Sequence, residues 1–505
     1  MVSFLRYAVL RSLYLLLALG AIWDSTPGAT AATFTVMNLA EAGPGSLRQA
    51  VLDANATAGD DEVAFAPGLT GMITLTSDEI LITDSLVVSG PGAGVLTVSG
   101  NDHSRIFHVE NSGLAAPIDV TLSRLTLTLG NSLRSQGDVA GGAVFVSGEN
   151  LTILDSVITS STSGVPFDPE VPGCGGNVGS FGLNVGTLRI ANSTLTGGRS
   201  VGISGSNGGN LCVNGGRLIL EESTLSGGTA HLGGGLYAEA GAASSEILQS
   251  TISGNQAFDY GGGIYLSGAS FTIESSTISG NTAGVPDSNP ALGLGGGLYL
   301  TGGNLQILNG TVSSNRAGQT GGGIAISNTS LLLRLTTVSN NTAGIRAGSI
   351  MVSEPTNQVQ LDHAIVANGV PQDLASRQFA IFPPTLTANY SLIEAPGDSV
   401  LVGAHNLVGA DPLLGPLAGN GGPTLTHRPL PGSPVIDAGN PAIPSPPPTD
   451  QLGFARIFGP AVDLGSVEVG QELMGVPALS PAGLLVLAAL LFALSVRRLR
   501  RERPE

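Results

Sequence analysis

The chain has 505 residues, of which 74 are glycine and only 11% carry a charge. This composition excludes three classes of protein. The mean hydropathy of +0.29 is too high for a disordered chain, two cysteines are too few for a disulfide scaffold, and the glycines follow no strict collagen triplet. An apolar, Gly-rich chain with 4% aromatic residues predicts many short strands joined by tight turns.

Residues 1–32 have the pattern of a secretory signal peptide. Arg6 and Arg11 precede an apolar stretch at 13–23, and small residues at 29–31 form a cleavage site. A permanent membrane anchor is the alternative, but this apolar stretch is short for a bilayer span. We therefore expect an exported protein.

Residues 33–130 are predicted to hold an N-terminal cap and the first coils of a solenoid. The cap is a helix that follows Ser46 as its N-cap. Residues 34–55 resemble the start of CSLREA-type bacterial surface proteins, although the eponymous Cys-Ser-Leu-Arg-Glu-Ala reads Gly-Ser-Leu-Arg-Gln-Ala here. The first coils are predicted from strand-like runs at 73–75, 80–83, 86–90, 95–99, 105–109 and 119–130.

Residues 131–370 repeat a glycine run followed by three short strand-like runs. The first apolar residue after each glycine run recurs every 25 to 34 residues, at Val144, Val178, Leu211, Leu236, Ile264, Leu298, Ile324 and Ile350. The second and third runs keep a fixed offset of five residues, as between Ile273 and Ile278. Only the last copy, ending at Ile365, departs from that offset.

This pattern predicts an all-β fold, a parallel β-helix. Alternate residues of a strand face opposite sides, so the apolar columns face inward, and stacking coils about 4.8 Å apart buries them. A right-handed helix is expected because crossover connections are right-handed.

Residues 371–470 are predicted to form C-terminal coils and a cap. The segments Asp-Pro-Leu-Leu-Gly-Pro-Leu from 411, Pro-Gly-Ser-Pro-Val-Ile-Asp-Ala-Gly from 431 and Thr-Asp-Gln-Leu-Gly-Phe-Ala-Arg from 449 follow one another. They resemble the choice-of-anchor Q region of bacterial surface proteins, which implies a surface location.

Residues 471–505 predict a sorting signal with a transmembrane helix at 476–496. These 21 uncharged residues extend about 31 Å as a helix, and five arginines that follow place the tail on the cytoplasmic side. The start of the helix, followed by Pro-Ala-Gly, resembles the IPTL-CTERM signal, a relative of PEP-CTERM signals; its motif residues are Val476, Pro477, Ala478, Leu479 and Ser480. The resemblance implies an exosortase-type processing protease as partner. A plain tail anchor is the alternative.

The charge of the exported part limits its partners. Residues 33–496 hold 13 arginines and 34 acidic residues, a net charge of −21. Nucleic acids and anionic lipids need a basic surface, so neither is expected to bind. An acidic polysaccharide would be repelled unless a metal ion bridged it.

Polysaccharide lyases and glycoside hydrolases also use β-helices and need carboxylates on neighbouring coils. The outward columns of the repeats carry no stacked acidic residues, so no catalytic residue is predicted. Two possible binding sites are predicted instead. Tyr237, Tyr265 and Tyr299 form an aromatic ladder for sugar rings or for mutual stacking. The acidic residues near the C-terminus converge on Ca²⁺ or serve as caps; they are Asp437, Asp450, Asp463 and Glu468.

Several other patterns have structural explanations beside functional ones. Thr and Ser columns around the third strand offer a flat hydroxyl surface for a glycan or ice, or reflect β-propensity. Asn255, Asn281, Asn315 and Asn341 predict an internal ladder. His231 near Asp259 and Tyr260 is interpreted as a chance grouping at turns.

Cys174 and Cys212 lie in consecutive repeats of an exported chain, where a disulfide is plausible. The repeat alignment offsets them by about 16 Å along the strand direction, whereas a disulfide needs Cα atoms within about 7 Å. The bond therefore requires the loop at 172–173 to fold back.

Taken together, the sequence predicts an exported, envelope-anchored surface protein with a structural, adhesive or display role. The alternatives are a polysaccharide lyase or glycoside hydrolase, and a non-catalytic glycan-binding module that uses the tyrosines. The expected cofactor is none, with Ca²⁺ as a weak alternative, and the expected partners beyond the protease are envelope or extracellular glycans.

Overall fold

The computed structural model describes residues 31–470, except for 112–115, 135–138, 165–172, 182–185, 203–204, 240, 242–243, 285–292, 354–356 and 377–384. The predicted sorting tail and all but the end of the predicted signal peptide lie outside the described residues. Among the residues described, no helix is both long and apolar enough to cross a membrane.

The described chain consists mostly of short parallel strands in four stacked sheets, named A to D here. Sheet C contains the first strand of each repeat and has 11 strands: Ile80–Ile82, Phe107–Val109, Val144–Ser147, Val178–Phe181, Leu211–Asn214, Leu236–Glu239, Ile264–Ser267, Leu298–Thr301, Ile324–Ser327, Ile350–Val352 and Leu374–Ser376. Sheet A contains the second strand and has 14 strands: Thr33–Val36, Asp61–Phe65, Leu86–Ser89, Asp119–Ser123, Asn150–Leu154, Thr187–Ala191, Arg217–Glu221, Ser245–Leu248, Ser270–Glu274, Asn304–Leu308, Ser330–Arg334, Gln358–Asp362, Thr385–Asn389 and Val400–Val402.

The other two sheets complete each coil. Sheet B contains the third strand and has 13 strands: Gly71–Thr74, Leu96–Ser99, Thr126–Thr128, Val157–Thr159, Thr194–Thr196, Thr224–Ser226, Thr251–Ser253, Thr277–Ser279, Thr311–Ser313, Thr337–Ser339, Ile365–Ala367, Leu392–Ile393 and Leu407–Val408. Sheet D has seven strands: Thr162–Ser163, Arg199–Ser200, Thr229–Leu232, Gln256–Tyr260, Thr282–Ala283, Arg316–Ala317 and Thr342–Ala343. The sequence predicted three strands per coil and missed sheet D, because most of its strands are too short to show an alternating pattern.

The register between coils confirms the predicted repeat. The first-strand apolar residues pair in one column, from Val144 with Val178 through to Ile324 with Ile350. The expected departure in the last copy is wrong, because Val366 and not Ile365 pairs with Val338. The apolar columns of sheets A, B and C form one continuous buried core. At about 4.8 Å per coil, the 14 strands of sheet A extend roughly 62 Å.

From the strand Asp119–Ser123 to the strand Thr385–Asn389, a two-residue bend joins sheet A to sheet B, and its first residue has a left-handed backbone although it is not glycine, as at Asn192 and Glu222. In several coils the second residue of the bend is a buried serine that bonds to a neighbouring coil. The Ser156 amide donates to Ser193 Oγ (3.1 Å), and the Ser193 amide donates to Ser223 Oγ (3.1 Å). This serine ladder satisfies backbone amides at a corner where the sheets cannot pair.

The predicted N-terminal helix is present at Leu47–Asn55, and the Ser46 side chain accepts a hydrogen bond from the Gln49 amide (3.2 Å). Its apolar face, including Leu47 and Val51, is buried in the same core as the first coils. The helix contacts the first strands of sheets A and C, in agreement with its prediction as a cap.

Residues 371–470 contain the last coils and, after them, a segment that packs along sheet B. The coils continue to Leu407–Val408, and residues 411–470, here called the C-terminal segment, lie against the outer face of sheet B. Thr277 Oγ1 donates to the Leu425 carbonyl (2.5 Å), and the Ser466 amide donates to Thr337 Oγ1 (3.1 Å). Apolar side chains on the sheet extend this contact, with Ile365 packed near Leu464. Outward hydroxyls and apolar side chains of sheet B thus provide the docking surface.

Candidate functional site

The predicted tyrosine ladder exists on the outer face of sheet C. The rings of Tyr237 and Tyr265 stack with centroids 5.2 Å apart, and those of Tyr265 and Tyr299 with centroids 5.3 Å apart. Tyr260, the last residue of a sheet D strand, stacks on Tyr299. Only 7% of Tyr237 is exposed, and the other two ladder rings are half-buried.

Burial also changes the chemistry of these phenols. It raises the pKa of Tyr265 to about 12 and that of Tyr237 further, with Glu239 adding to the effect at Tyr237. Because both faces of Tyr265 are occupied by neighbouring rings, a sugar could reach only ring edges. The geometry therefore favours mutual stacking, and sugar binding by the ladder stays a prediction.

Cys174 and Cys212 form a disulfide with Cα atoms 5.4 Å apart. The offset of about 16 Å inferred from the repeat alignment is wrong. Gly175, which has φ of +72°, turns the chain so that Cys174 folds back over Gly179, the residue that pairs with Cys212. The reversal thus occurs directly after Cys174.

The C-terminal segment divides the Thr column of sheet B. Thr277, Thr311 and Thr337 are buried where the segment lies against the sheet. Thr194, Thr224 and Thr251 in earlier coils remain half-exposed. The hydroxyl surface predicted for a glycan or ice is therefore limited to the N-terminal half of the sheet.

The predicted asparagine ladder is confirmed as an internal structure. Asn255, Asn281, Asn315 and Asn341 are buried, and each of the first three donates its side-chain amide to the next one at 2.9 to 3.0 Å. Two further members, which the sequence analysis missed, are Asn177 and Asn210. Those two precede the first strand of their coils instead of following the third, so the repeat alignment placed them in another column.

The asparagine of the internal ladder comes from one of two positions in a coil: the end of the glycine run or the residues that follow the third strand. Where the second residue after the third strand is glycine, as at Gly198 and Gly228, the asparagine comes from the end of the glycine run. Where asparagine follows the third strand, the glycine run ends in glycine, as at Gly263, whose added Cβ would lie 2.9 Å from Asn281 Nδ2. Each coil from Asn177 to Asn341 thus contributes one asparagine side chain to the ladder, and the position opposite it is glycine because a second side chain would clash.

The four acidic residues near the C-terminus lie close together in the C-terminal segment. Asp463 Oδ1 accepts from the Asp437 amide (2.6 Å), Asp450 Oδ2 from the Glu468 amide (3.0 Å), and Glu468 Oε2 from the Asp463 amide (3.0 Å). Arg456 is buried beside them and donates to the Asp463 carbonyl (2.8 Å). Burial raises the pKa values of Asp450, Asp463 and Glu468, that of Glu468 to about 7.

These contacts favour capping over metal binding, since each of the three buried carboxylates already holds backbone amides. Over the described part of the chain, no group of three or more His, Cys, Asp or Glu side chains is arranged to hold a metal ion. Calcium binding stays a prediction.

His231 and Asp259 are paired in sheet D, with His231 Nδ1 3.2 Å from Asp259 Oδ2. The His231 ring also contacts Phe258. Tyr260 stacks on Tyr299 instead, so the structure divides the trio that the sequence suggested.

A second charged cluster, which the sequence analysis missed, lies on the first coils. Glu79 accepts from Arg105 Nη1 (2.6 Å) and lies 2.9 Å from His108 Nδ1, whose Nε2 is 3.4 Å from Glu110. Phe145 packs on both the His108 ring and the Arg105 guanidinium, which favours a structural network. The sequence signal that could have revealed this cluster is His108, which occupies an outward position in the first-strand column.

The outer face of sheet A carries an open groove of about 310 Å³. Its floor is polar and extends over the strands from Ser270–Glu274 to Gln358–Asp362. The side chains that define it include Gln306 and Gln360.

Comparison with known proteins agrees with this architecture. Residues 181–363 match the family described as the right-handed β-helix region. This stretch is similar to right-handed β-helix regions. The β-helix prediction is therefore confirmed, whereas the CSLREA, choice-of-anchor Q and IPTL-CTERM resemblances stay predictions.

Among solved structures, this chain is similar to ORF18 of Geobacillus virus E2, with 10% sequence identity and a TM-score of 0.32. The similarity covers 74% of this chain and 60% of the viral one, so the chain spans about 60% of that protein's length. No curated protein matches the chain.

Proposed function

We propose that this protein is an exported β-helical rod, anchored in the cell envelope, with a structural, adhesive or display role. The observation that carries the proposal is the docked C-terminal segment. Gln451 and Ser466 bond to Thr311 on sheet B, so the chain is fixed to the rod a few residues before the predicted tail at 471–505. A tail rooted in this way would hold the whole rod at the membrane.

The Cys174–Cys212 disulfide supports the exported location, because disulfides persist in oxidising compartments outside the cytoplasm. The acidic charge of the protein is compatible with solubility at a surface, and the continuous apolar core suits a rigid scaffold.

Cell fractionation tests this proposal. The full chain should be found in the envelope fraction with its disulfide formed, and a variant lacking 471–505 should be released from it. Pro477→Ala with Ser480→Ala keeps the apolar helix and alters the motif, so it should block processing by an exosortase-type protease while retaining envelope association. A reduced, cytoplasmic protein, or identical distribution of the full and shortened chains, would overturn the proposal.

The enzymatic alternative is tested with reducing-sugar and unsaturated-uronate assays on a polysaccharide panel, with and without Ca²⁺. Product above that of a heat-inactivated control would replace the structural role by a lyase or hydrolase activity. The other alternative, a non-catalytic glycan-binding role, is favoured by the groove on sheet A and is developed next.

A further inference from the structure

Two columns of outward side chains form the floor of the groove on sheet A. They come from four successive strands that pair in register. The residues are uncharged: Ser270, Asn304, Ser330 and Gln358 in one column, and Thr272, Gln306, Leu332 and Gln360 in the other. The four coils extend the floor over about 14 Å along the rod at 4.8 Å per coil.

Charged residues on the same sheet lie around this floor. Glu274 has no ion pair within the described residues, and the others beside the floor are paired with one another. Towards the N-terminus, Arg217 bonds to Glu246 at 2.8 Å. On the side next to the C-terminal segment, Arg334 Nε lies 3.1 Å from Asp362 Oδ2, close to a second depression lined by Pro447. The groove is therefore neutral within a protein of net charge −17, which favours an uncharged occupant.

The amide groups of the groove are available to a ligand. Gln306, Gln358 and Gln360 are exposed, and within the described residues their side chains form no hydrogen bond. Each amide offers two donors and one acceptor, which suits the hydroxyl groups of a sugar, and Leu332 adds an apolar contact. The side-chain amides of the buried asparagines, by contrast, form hydrogen bonds with one another.

We propose that the groove binds an uncharged polysaccharide chain that lies along the rod axis. The repeat of the coils explains the choice of a polymer, because equivalent side chains recur every 4.8 Å and can contact successive parts of a chain. The inference concerns sheet A alone and does not depend on where the protein is anchored.

Affinity electrophoresis of the full-length protein in mild detergent tests the inference. The neutral probes are dextran, soluble starch, hydroxyethyl cellulose and galactomannan, and the acidic probes are alginate and polygalacturonate. At least one neutral probe should retard the protein, and Gln306→Ala with Gln360→Ala should weaken that binding at least tenfold. Gln256→Ala, on sheet D, is the matched control and should leave it unchanged.

Each other outcome overturns the inference. Failure of all four neutral probes, or tighter binding of an acidic probe, would exclude an uncharged ligand. Retardation that survives the double variant but is lost in Tyr265→Ala would move the site to the tyrosine ladder. A circular dichroism melt of each variant checks that the coils remain folded. Gln306 and Gln360 are exposed, so their substitution should leave the melt unchanged.

Discussion

Replacing Asn281 by alanine tests how much the internal amide ladder stabilises the stack. Asn281 Nδ2 donates to the Ile252 carbonyl and to Asn315 Oδ1, both at 2.9 Å. Its Oδ1 accepts from the backbone amide and the side chain of Asn255, both at 3.0 Å. The residue is fully buried, so water cannot easily replace these four bonds.

The expected loss follows from what the variant leaves unpaired. The Asn255 side chain keeps its bond to the Leu225 carbonyl, but the Asn255 backbone amide and the Ile252 carbonyl lose the bonds that Asn281 provides. A typical hydrogen bond contributes about 1 kcal/mol net, and a buried group left unsatisfied costs about 1–3 kcal/mol. We expect Asn281→Ala to lower the free energy of unfolding by about 3–4 kcal/mol.

Guanidinium unfolding followed by circular dichroism measures this loss. Asn304→Ala is the matched control, because Asn304 is exposed on sheet A, and it should change stability by less than about 0.5 kcal/mol. Asn281→Asp keeps the shape but loses the donor and should destabilise similarly at pH 7. A loss below about 1 kcal/mol, or one equal to that of the control, would refute the reasoning.

Three further predictions concern the disulfide, a buried carboxyl group and the C-terminal segment. Cys174→Ser with Cys212→Ser removes a bond that spans 38 residues, and the loop-closure estimate gives a loss of about 4 kcal/mol, measured by thermal melting with and without reductant. Burial raises the folded-state pKa of Glu468 from 4.5 to about 7, so its contribution to stability is full below pH 4.5 and is lost as pH rises through 7; Glu468→Gln should flatten the unfolding midpoint over that window. Gln451→Ala removes hydrogen bonds to Thr277 and Thr311 on sheet B, and limited proteolysis should then cleave the C-terminal segment sooner.

Specific results would contradict each of these. Reductant should not change the melting temperature of the double serine variant. If it does, the stabilisation does not come from the Cys174–Cys212 bond. An unchanged pH slope in Glu468→Gln would mean that Glu468 does not titrate in this range. Equal cleavage rates for Gln451→Ala and the exposed control Gln358→Ala would show that the segment is held by other contacts.

The coils could be predicted because their signals are local. The inward residues of sheets A, B and C follow a period of two, and glycines mark the turns, so Val144 and its equivalents were assigned to one column correctly. Sheet D lacked such a signal, since a pair such as Thr282–Ala283 has no periodicity. The disulfide was left open because a sequence alignment does not show the chain reversal after Cys174.

The candidate sites depended on contacts between distant residues. Burial of Thr311 under Gln451 joins residues 140 positions apart, and no repeat predicts it. Gln306 was visible in an outward column, but the neutral groove around it arises only when neighbouring coils are in register. The sequence therefore indicated which residues face outward, and the stacking of coils determined which of them form a site.

The docking of the C-terminal segment has a mechanical consequence. A pull on the chain beyond Gly470 enters the stack from its side near Ser466, which bonds to Thr311 and Thr337, and not through the last coil at Leu407–Val408. Several bonds to sheet B then carry the load together in shear, and the coils are not pulled off one after another. The coils beyond the point of attachment bear little tension, so the free end of the rod can keep its shape under strain.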